Sequence, residues 1–313
     1  MHFGLYLPTE GDFADVRLLA HLARDAEDAG WDGFFIWDAL LPIYEHSDRI
    51  RDALGETGDI VDPFVALTAI AAGTTRLRFG ALVTPLPRLR PEAFARQTAT
   101  LDQFSDGRLI VGVGLGNPPD QFTAFGGEAD LRVRAAMLDE FLEVLLQLWS
   151  GNKVNTRGAH YVAEGISMTP TPHQRPRIPI WIGADSKNRA PRRRAARWDG
   201  FVPASDSWPD GVISPADYEA IVADVTALRA EAHEGPFDVV VIGNVSGTLP
   251  TTESLSAYAA AGVTWVLSQA LSVADARARI AAEEAVARLQ AKALARISPD
   301  GSSPEGGSPG QGG

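Results

Sequence analysis

The sequence predicts a (β/α)8 barrel, a TIM barrel of the α/β class, and two observations carry this prediction. The tetrapeptide Trp-Asp-Gly-Phe occurs twice, at 31–34 and 198–201, each time between an Ala/Arg-rich helical stretch and a short apolar run. A helix that re-enters a sheet needs a tight turn, and glycine permits both the backbone angles and a close approach. In addition, eight short apolar runs alternate with segments whose apolar residues recur at helical spacing.

The eight apolar runs have the length and composition of strands. Several of them, such as 239–242, are apolar with little alternation, which is typical of parallel strands that are buried on both faces. In a barrel, the active site is built from the loops that follow the strands. The alternative is an open, doubly wound sheet. The predicted strands are 2–8, 33–38, 76–84, 108–114, 179–184, 200–204, 237–245 and 263–269.

Two long connections are predicted insertions, after strands 2 and 4. The first covers 39–61, and the second covers 151–178, between the fourth helix and the fifth strand. Because long loops on the active face of a barrel usually close over something, we expect both to roof a small-molecule pocket. The alternative is a surface insertion without function. We expect the barrel to span 1–297 and the Gly/Ser/Pro-rich tail at 298–313 to be disordered.

Composition excludes several classes of partner and site. The 313 residues carry a formal net charge of −12, which argues against nucleic acid and anionic membranes as partners. There is no cysteine, so disulfides, thiolate metal sites and a cysteine nucleophile are excluded. We find no signal peptide and no apolar run near the ~18 residues of a membrane helix, and therefore expect a cytoplasmic protein. No two histidines stand at strand exits with ligand spacing, so we predict no metal site.

The end of the fifth strand offers a phosphate site. Gly183 and Ala184 lie at the strand exit, Ser186 and Lys187 follow, and a basic helix begins soon after. Free helix N–H groups beside small and basic residues suit a phosphate. The alternative is a solvated helix face, because three successive arginines cannot all point to one site. The basic cluster consists of Lys187, Arg189, Arg192, Arg193 and Arg194.

A series of motifs follows in order along the chain: DPFVAL at 62–67, TRLRFG at 75–80, VTPLPR at 83–88, SDGRLIVGVG at 105–114, LWSG at 148–151, PRIPIWIG at 176–183 and RAARWDG at 194–200. With these motifs the sequence resembles the luciferase-like flavin-dependent oxidoreductases, the bacterial luciferase-like superfamily. The resemblance covers roughly residues 1–295. Since most of these motifs are structural, they identify the superfamily better than the substrate.

The resemblance implies an oxidoreductase that binds FMN or the deazaflavin coenzyme F420 at the strand C-termini and acts on a small organic substrate. With FMN it would be a monooxygenase, and a separate flavin reductase would supply its reduced FMN. With F420, hydride would pass between the cofactor and the substrate, and oxygen would take no part. Overall similarity favours F420 slightly. The ring would lie against a bulge with a non-prolyl cis peptide, at Ala81-Leu82 or Leu82-Val83, and Thr84 would hydrogen-bond its edge.

The resemblance also places the rest of the cofactor. Gly114, Gly116 and Asn117 would flank the ribityl chain, and Gly183, Ala184, Ser186 and Lys187 would hold the phosphate. The helices at 63–74 and 91–104 resemble the dimer surface of the family, so we expect a homodimer.

One position departs from the family pattern. Many relatives end strand 2 with an Asp-His pair whose imidazole assists the chemistry, whereas this chain has Asp38-Ala39. A methyl group cannot move protons, so the nearest candidates for catalysis are Asp38 and His46. The alternatives are a structural cap for Asp38 and a solvated loop histidine for His46. Ala39 also favours a second hypothesis, a catalytically degenerate barrel that binds flavin without turnover.

Overall fold

Eight parallel strands form a closed barrel in the computed structural model, which describes residues 1–43, 48–54, 58–205, 213–230, 235–243 and 252–281. The barrel strands are β1 (His2–Leu7), β2 (Gly33–Ile36), β3 (Arg78–Ala81) with β4 (Thr84–Pro85), β5 (Val111–Gly114), β8 (Ile180–Asp185), β9 (Gly200–Ala204), β10 (Asp238–Ile242) and β11 (Trp265–Gln269). A separate antiparallel hairpin consists of β6 (Val154–Arg157) and β7 (Val162–Ile166).

Helices follow the strands on the outside of the barrel. They are α1 (Val16–Asp28), α2 (Asp48–Leu54), α3 (Pro63–Gly73), α4 (Pro91–Phe104), α5 (Asp120–Thr123), α6 (Leu131–Trp149), α7 (Arg189–Ala195), α8 (Pro215–Ala230) and α9 (Thr252–Ala260). Residues 273–281 form a further helical segment. Within the described ranges, no helix is long and apolar enough to cross a membrane. The predicted disordered tail at 298–313 lies outside these ranges.

The barrel closes through its third strand, which has two parts. β3 pairs with β2, and β4 pairs with β5. The segment just before β5 also pairs with β3: the Phe79 amide donates to the Arg108 carbonyl at 3.2 Å, and the Ile110 amide donates to the Phe79 carbonyl at 2.9 Å. This closure confirms the predicted (β/α)8 fold and excludes the open sheet. All eight predicted strands are present, and within their described residues the only break is at 82–83.

The repeated Trp-Asp-Gly-Phe sequence joins a helix to a strand in the same way at both sites. The Asp32 carboxylate accepts the Phe3 amide at 2.9 Å, and the Asp199 carboxylate accepts the Ile180 amide at 2.8 Å. Each aspartate therefore ties the start of its own strand to the start of a neighbouring one. Because buried backbone N–H groups must be paired, this carboxylate is the physical reason for the repeat.

The glycines of this repeat serve close packing rather than a special backbone angle. Gly33 and Gly200 are strand residues without positive φ; at the first site, Gly30 takes the left-handed conformation, with φ 99°. A Cβ on Gly33 would lie 2.7 Å from Trp265, and one on Gly200 would lie 2.4 Å from Trp181. The two indoles are in edge contact inside the barrel, at 5.5 Å between ring centroids. The expectation of a close approach is confirmed, and the expectation of special angles at these two glycines is wrong.

The connection at 151–178 lies at the opposite end of the barrel from the strand exits. It leads from α6 into β8, and a helix-to-strand connection ends where strands begin. Its Gln174 donates to the Leu109 carbonyl at 2.8 Å and to the Asp102 carboxylate at 2.7 Å, just before β5. The expectation that this insertion roofs the active face is therefore wrong, and only 39–61 follows a strand exit.

We predict that Gly200→Ala lowers the free energy of unfolding by about 1–3 kcal/mol, because the added methyl would overlap the Trp181 ring in a packed core. The matched control is Gly73→Ala, at the end of α3, where the nearest atom would be 3.5 Å from the new Cβ. Urea unfolding of both variants measures the difference. Equal stabilities of the two variants would contradict this account of the repeat.

Candidate functional site

The strand exits are organised around a bulge between β3 and β4. The Leu82–Val83 peptide bond is cis, at one of the two positions that the family resemblance implies. The Leu82 amide donates to the Ile36 carbonyl at 2.9 Å, and the Tyr6 hydroxyl donates to the Leu82 carbonyl at 2.5 Å. Hydrogen bonds with β2 and β1 therefore fix the backbone of the bulge. Ala81 and Leu82 are buried, and Val83 is partly exposed.

Three glycines on the next two strands make room for this bulge. A Cβ on Gly112 would lie 2.3 Å from the Leu82 side chain. On Gly114 it would lie 2.7 Å from the Val83 side chain, and on Gly183 it would lie 2.3 Å from that side chain. These glycines are required by the approach of the bulge, so two positions predicted to contact a cofactor have a packing role as well.

Asp38 is held in an ion pair at the end of strand 2. Its buried carboxylate pairs with Arg88 and accepts a hydrogen bond from the Thr84 hydroxyl. Burial raises the pKa of Asp38, while the Arg88 charge and the Thr84 hydrogen bond oppose that rise. These contacts favour the structural alternative for Asp38, and they place Thr84 against a carboxylate of the protein.

Glu10 is the titratable group at the strand exits that sequence reasoning missed. It lies three residues beyond β1 and is 1% exposed. Its Oε2 accepts the Ile43 amide at 2.8 Å, whereas Oε1 is buried without a partner in the described part of the chain. Burial raises the pKa of Glu10 from 4.5 to about 7, and the hydrogen bond from Ile43 opposes this. A carboxyl in this state exchanges protons at neutral pH.

The first residues of the 39–61 connection are fixed over the strand exits. Gln121 accepts the amides of Leu40 and Leu41, at 2.7 and 3.0 Å, and donates to the Leu41 carbonyl at 2.7 Å. Ala39 is buried at the start of this segment. His46, the other predicted catalytic residue, lies outside the described residues.

The loop after β5 is held by an arginine that the sequence analysis did not single out. Arg134 donates to the carbonyls of Leu115 and Gly116, at 3.1 and 3.0 Å. A Cβ on Gly116 would lie 2.6 Å from the Phe122 ring, and its φ is 79°. Asn117 is exposed at the end of this loop. Gly116 therefore has a conformational reason to be glycine, and Asn117 is accessible.

The exit of β8 is less basic than its sequence indicates. The Asp185 carboxylate accepts the Lys187 amide at 2.7 Å, and Arg192 donates to the Ser186 carbonyl at 2.6 Å. Arg194 forms an ion pair with Asp139 at 2.6 Å, and Arg192 one with Asp224 at 3.3 Å. Two arginines of the basic cluster are thus committed to carboxylates.

The other predicted residues of this exit remain in place. Ala184 is partly exposed, Ser186 is buried, and Lys187, Arg189 and Arg193 are exposed. Lys187 is the first basic residue after the end of β8, and its side chain is exposed.

Gln269 ends β11 with its whole amide unpaired. The residue is fully buried, and neither Nε2 nor Oε1 has a partner in the described part of the chain. It stands in register with Tyr6, so both side chains lie on the same face of the sheet. The Tyr6 ring is 6.1 Å from that of Trp37. Buried amides without partners are rare, which marks this position for a ligand or a water molecule.

The sequence contained only weak signals for these residues. Glu10 follows a Pro-Thr pair after strand 1, and Gln269 ends strand 8, but neither belongs to a motif. Their burial depends on contacts between distant strands. Across the described ranges, no group of three or more His, Cys, Asp or Glu side chains could hold a metal ion.

The structure is therefore a (β/α)8 barrel with a bulged third strand and a buried carboxyl, Glu10, at its strand exits. The sequence matches the family described as luciferase-like monooxygenase over residues 1–303. The chain belongs to this family, as its motifs indicated.

Two relatives and one solved structure show what the chain is similar to. An uncharacterized protein of Mycobacterium tuberculosis is 32% identical over 235 residues, which are 73% of this chain and 77% of the relative. The F420-dependent glucose-6-phosphate dehydrogenase of Nakamurella multipartita is 31% identical over 193 residues, 61% of this chain and 53% of that enzyme. The structure of a long-chain alkane monooxygenase aligns with a TM-score of 0.75 at 16% identity, over 95% of this chain and 93% of that one.

We predict that Glu10 makes stability depend on pH. A raised folded-state pKa means that the native state holds its proton more tightly than the unfolded chain, so stability falls as pH rises from about 4.5 to about 7. Between these pH values, the free energy of unfolding of the wild type should fall by about 3 kcal/mol relative to that of Glu10→Gln.

Denaturant unfolding at several pH values tests this. The exposed Glu219→Gln on α8 is the control, and it should keep the wild-type pH dependence. A Glu10→Gln profile parallel to the wild type would show that the carboxyl of Glu10 is already ionised at pH 5.

Proposed function

We propose that this protein is an oxidoreductase that binds F420 or FMN at the strand exits and acts on a small organic substrate beneath the 39–43 segment. The observation that carries the proposal is the set of buried polar atoms without partners at this end of the barrel. They include Oε1 of Glu10 at the exit of β1 and both amide atoms of Gln269 at the end of β11.

The residues present fit such a cofactor. The pyrimidine edge of a flavin or deazaflavin presents both carbonyl acceptors and an N–H donor, and the Gln269 amide offers one donor and one acceptor in return. Val83 and the backbone of the bulge give an apolar face beside it. When bound, the cofactor would supply the hydride or oxygen chemistry that no side chain of the protein provides.

Glu10 takes the role of the imidazole that Ala39 lacks. Its Oε2 is fixed by the Ile43 amide, which leaves Oε1 to give or take the proton of a substrate oxygen. With a pKa of about 7, both protonation states are populated at neutral pH, the condition under which an acid/base group works best. Asp38, engaged by Arg88, orients the bulge rather than moving protons.

F420 is our first choice of cofactor. An F420-dependent dehydrogenase is among the relatives. Hydride transfer to or from a substrate oxygen-bearing carbon requires one proton to move with each hydride, and one carboxyl with a pKa of about 7 can move that proton. The structure of an F420-dependent secondary alcohol dehydrogenase is also similar in fold, with a TM-score of 0.70 at 15% identity. FMN is the second choice and would require a separate flavin reductase and oxygen.

Titration of the apoprotein with F420, FMN and reduced FMN tests the proposal, with fluorescence and calorimetry as readouts. We expect one F420 per chain, and weaker binding for Gln269→Leu, which keeps the volume but removes the amide. Val162→Thr on the exposed hairpin is the control and should bind as the wild type does. Tight binding of reduced FMN alone would make the protein an oxygenase. Binding without turnover of any substrate would favour the degenerate barrel, and binding of neither cofactor would contradict the proposal.

We also propose that the protein is a homodimer through α3 and α4. α3 consists of apolar residues and glycine except for Thr68, yet Val65 is 57% exposed on it, and Phe104 is 55% exposed on α4. A helix that is apolar all round is normally buried. Sedimentation should give twice the chain mass and Val65→Glu should give the monomer, whereas a monomeric wild type would contradict this proposal.

A further inference from the structure

A cavity lies at the opposite end of the barrel from the proposed cofactor site. Its volume is about 290 Å³, which is room for about ten water molecules. Residues at the starts of the strands line it, so it opens at the N-terminal face. Those that matter here are His2, Asp32, Arg76, Arg78, Asp238 and Trp265.

Arg78, the first residue of β3, contributes to this cavity a guanidinium group that forms few hydrogen bonds. Among the described residues it makes one hydrogen bond, from Nη2 to the Gln174 Oε1 at 3.3 Å, and its Nε is buried without a partner. Burial lowers the pKa of Arg78, and the charges of Asp238 and Asp102 oppose this. Gln174, from the 151–178 connection, thus orients the guanidinium and leaves donors free for an anion.

Asp238, the first residue of β10, brings a carboxylate to the same cavity. Its Oδ1 accepts the Thr264 hydroxyl at 2.8 Å, and this residue forms no ion pair within the described part of the chain. Burial raises the pKa of Asp238, while hydrogen bonds from Thr264 and Trp181 and the charges of His2 and Arg78 oppose this. Arg78 and Asp238 therefore attract each other across the cavity without contact.

The other charged groups of the cavity are already engaged. Arg76 donates to the carbonyls of Trp31 and Glu27, at 3.0 and 2.7 Å. The Asp32 carboxylate accepts the Phe3 amide at 2.9 Å. The His2 ring lies 4.8 Å from the Trp265 ring and gives the cavity an aromatic wall.

Two partly desolvated opposite charges that do not touch are costly, unless something between them satisfies both. A guanidinium selects a carboxylate, and a carboxylate selects an ammonium group. We propose that this cavity binds a small zwitterion of amino-acid size, with its carboxylate on Arg78, its ammonium on Asp238 and its carbon chain along the Trp265 ring.

Calorimetry of the full chain with glycine, β-alanine and 4-aminobutyrate tests this proposal, because these probes span three separations between the charges. Acetate and ethylamine are the single-charge controls. We expect at least one zwitterion to bind one per chain and at least tenfold more tightly than either control. Asp238→Asn, which is nearly isosteric, should weaken that zwitterion tenfold or more and leave acetate unchanged. Asp25→Asn, exposed on α1, is the matched control and should bind as the wild type does.

The second variant, Arg78→Met, should abolish binding of both the zwitterion and acetate. F420 or FMN titrated into the same samples reports separately on the other end of the barrel. The proposal would be overturned if the wild type bound none of the zwitterions more tightly than acetate. It would also be overturned if Asp238→Asn bound the zwitterion as tightly as the wild type does. A crystal structure at saturating zwitterion with only water in the cavity would overturn it as well.

Discussion

The strand exits depend on one steric constraint, the approach of the bulge at Leu82–Val83 to the two strands beside it. Gly112, Gly114 and Gly183 leave no space for a methyl group, because the bulge fills it. Tyr6 fixes the bulge from the other side through the Leu82 carbonyl. The bulge between β3 and β4 is the place beside which we propose that the cofactor lies.

The two ends of the barrel handle buried charge differently. At the strand exits, Asp38 has an arginine and a hydroxyl as partners, whereas Glu10 has a single amide and a pKa near neutrality. The first carboxyl is therefore engaged at the bulge, and the second keeps one oxygen without a partner among the described residues. At the strand starts, Asp32 and Asp199 pair with backbone amides, while Arg78 and Asp238 each have a neutral hydrogen-bond partner but form no ion pair in the described part of the chain. Unpaired polar groups at either end cost stability, and this is the usual mark of a site for a ligand.

The fold was predictable because each strand carries a local pattern, and all eight predicted strands are present with small changes at their ends. The cis peptide followed from the family resemblance. What the sequence did not reveal is which polar residues lack partners, since that depends on contacts such as the one between Glu10 and Ile43, 33 residues apart. The position of the 151–178 connection was predictable from topology, because it leads from a helix into a strand. The sequence overstated the positive charge of the basic cluster after β8. Asp139 and Asp224 form ion pairs with two of its arginines, and both aspartates come from other helices.

Hydrogen exchange of the backbone amides, with and without saturating cofactor, tests directly whether the cofactor binds at the strand exits. We predict slower exchange at 82–86, 114–117 and 183–187, the bulge and two neighbouring exits, and unchanged exchange in the hairpin at 154–166. Protection confined to the N-terminal end of the barrel, or no protection at these three segments under saturation, would contradict this position of the cofactor.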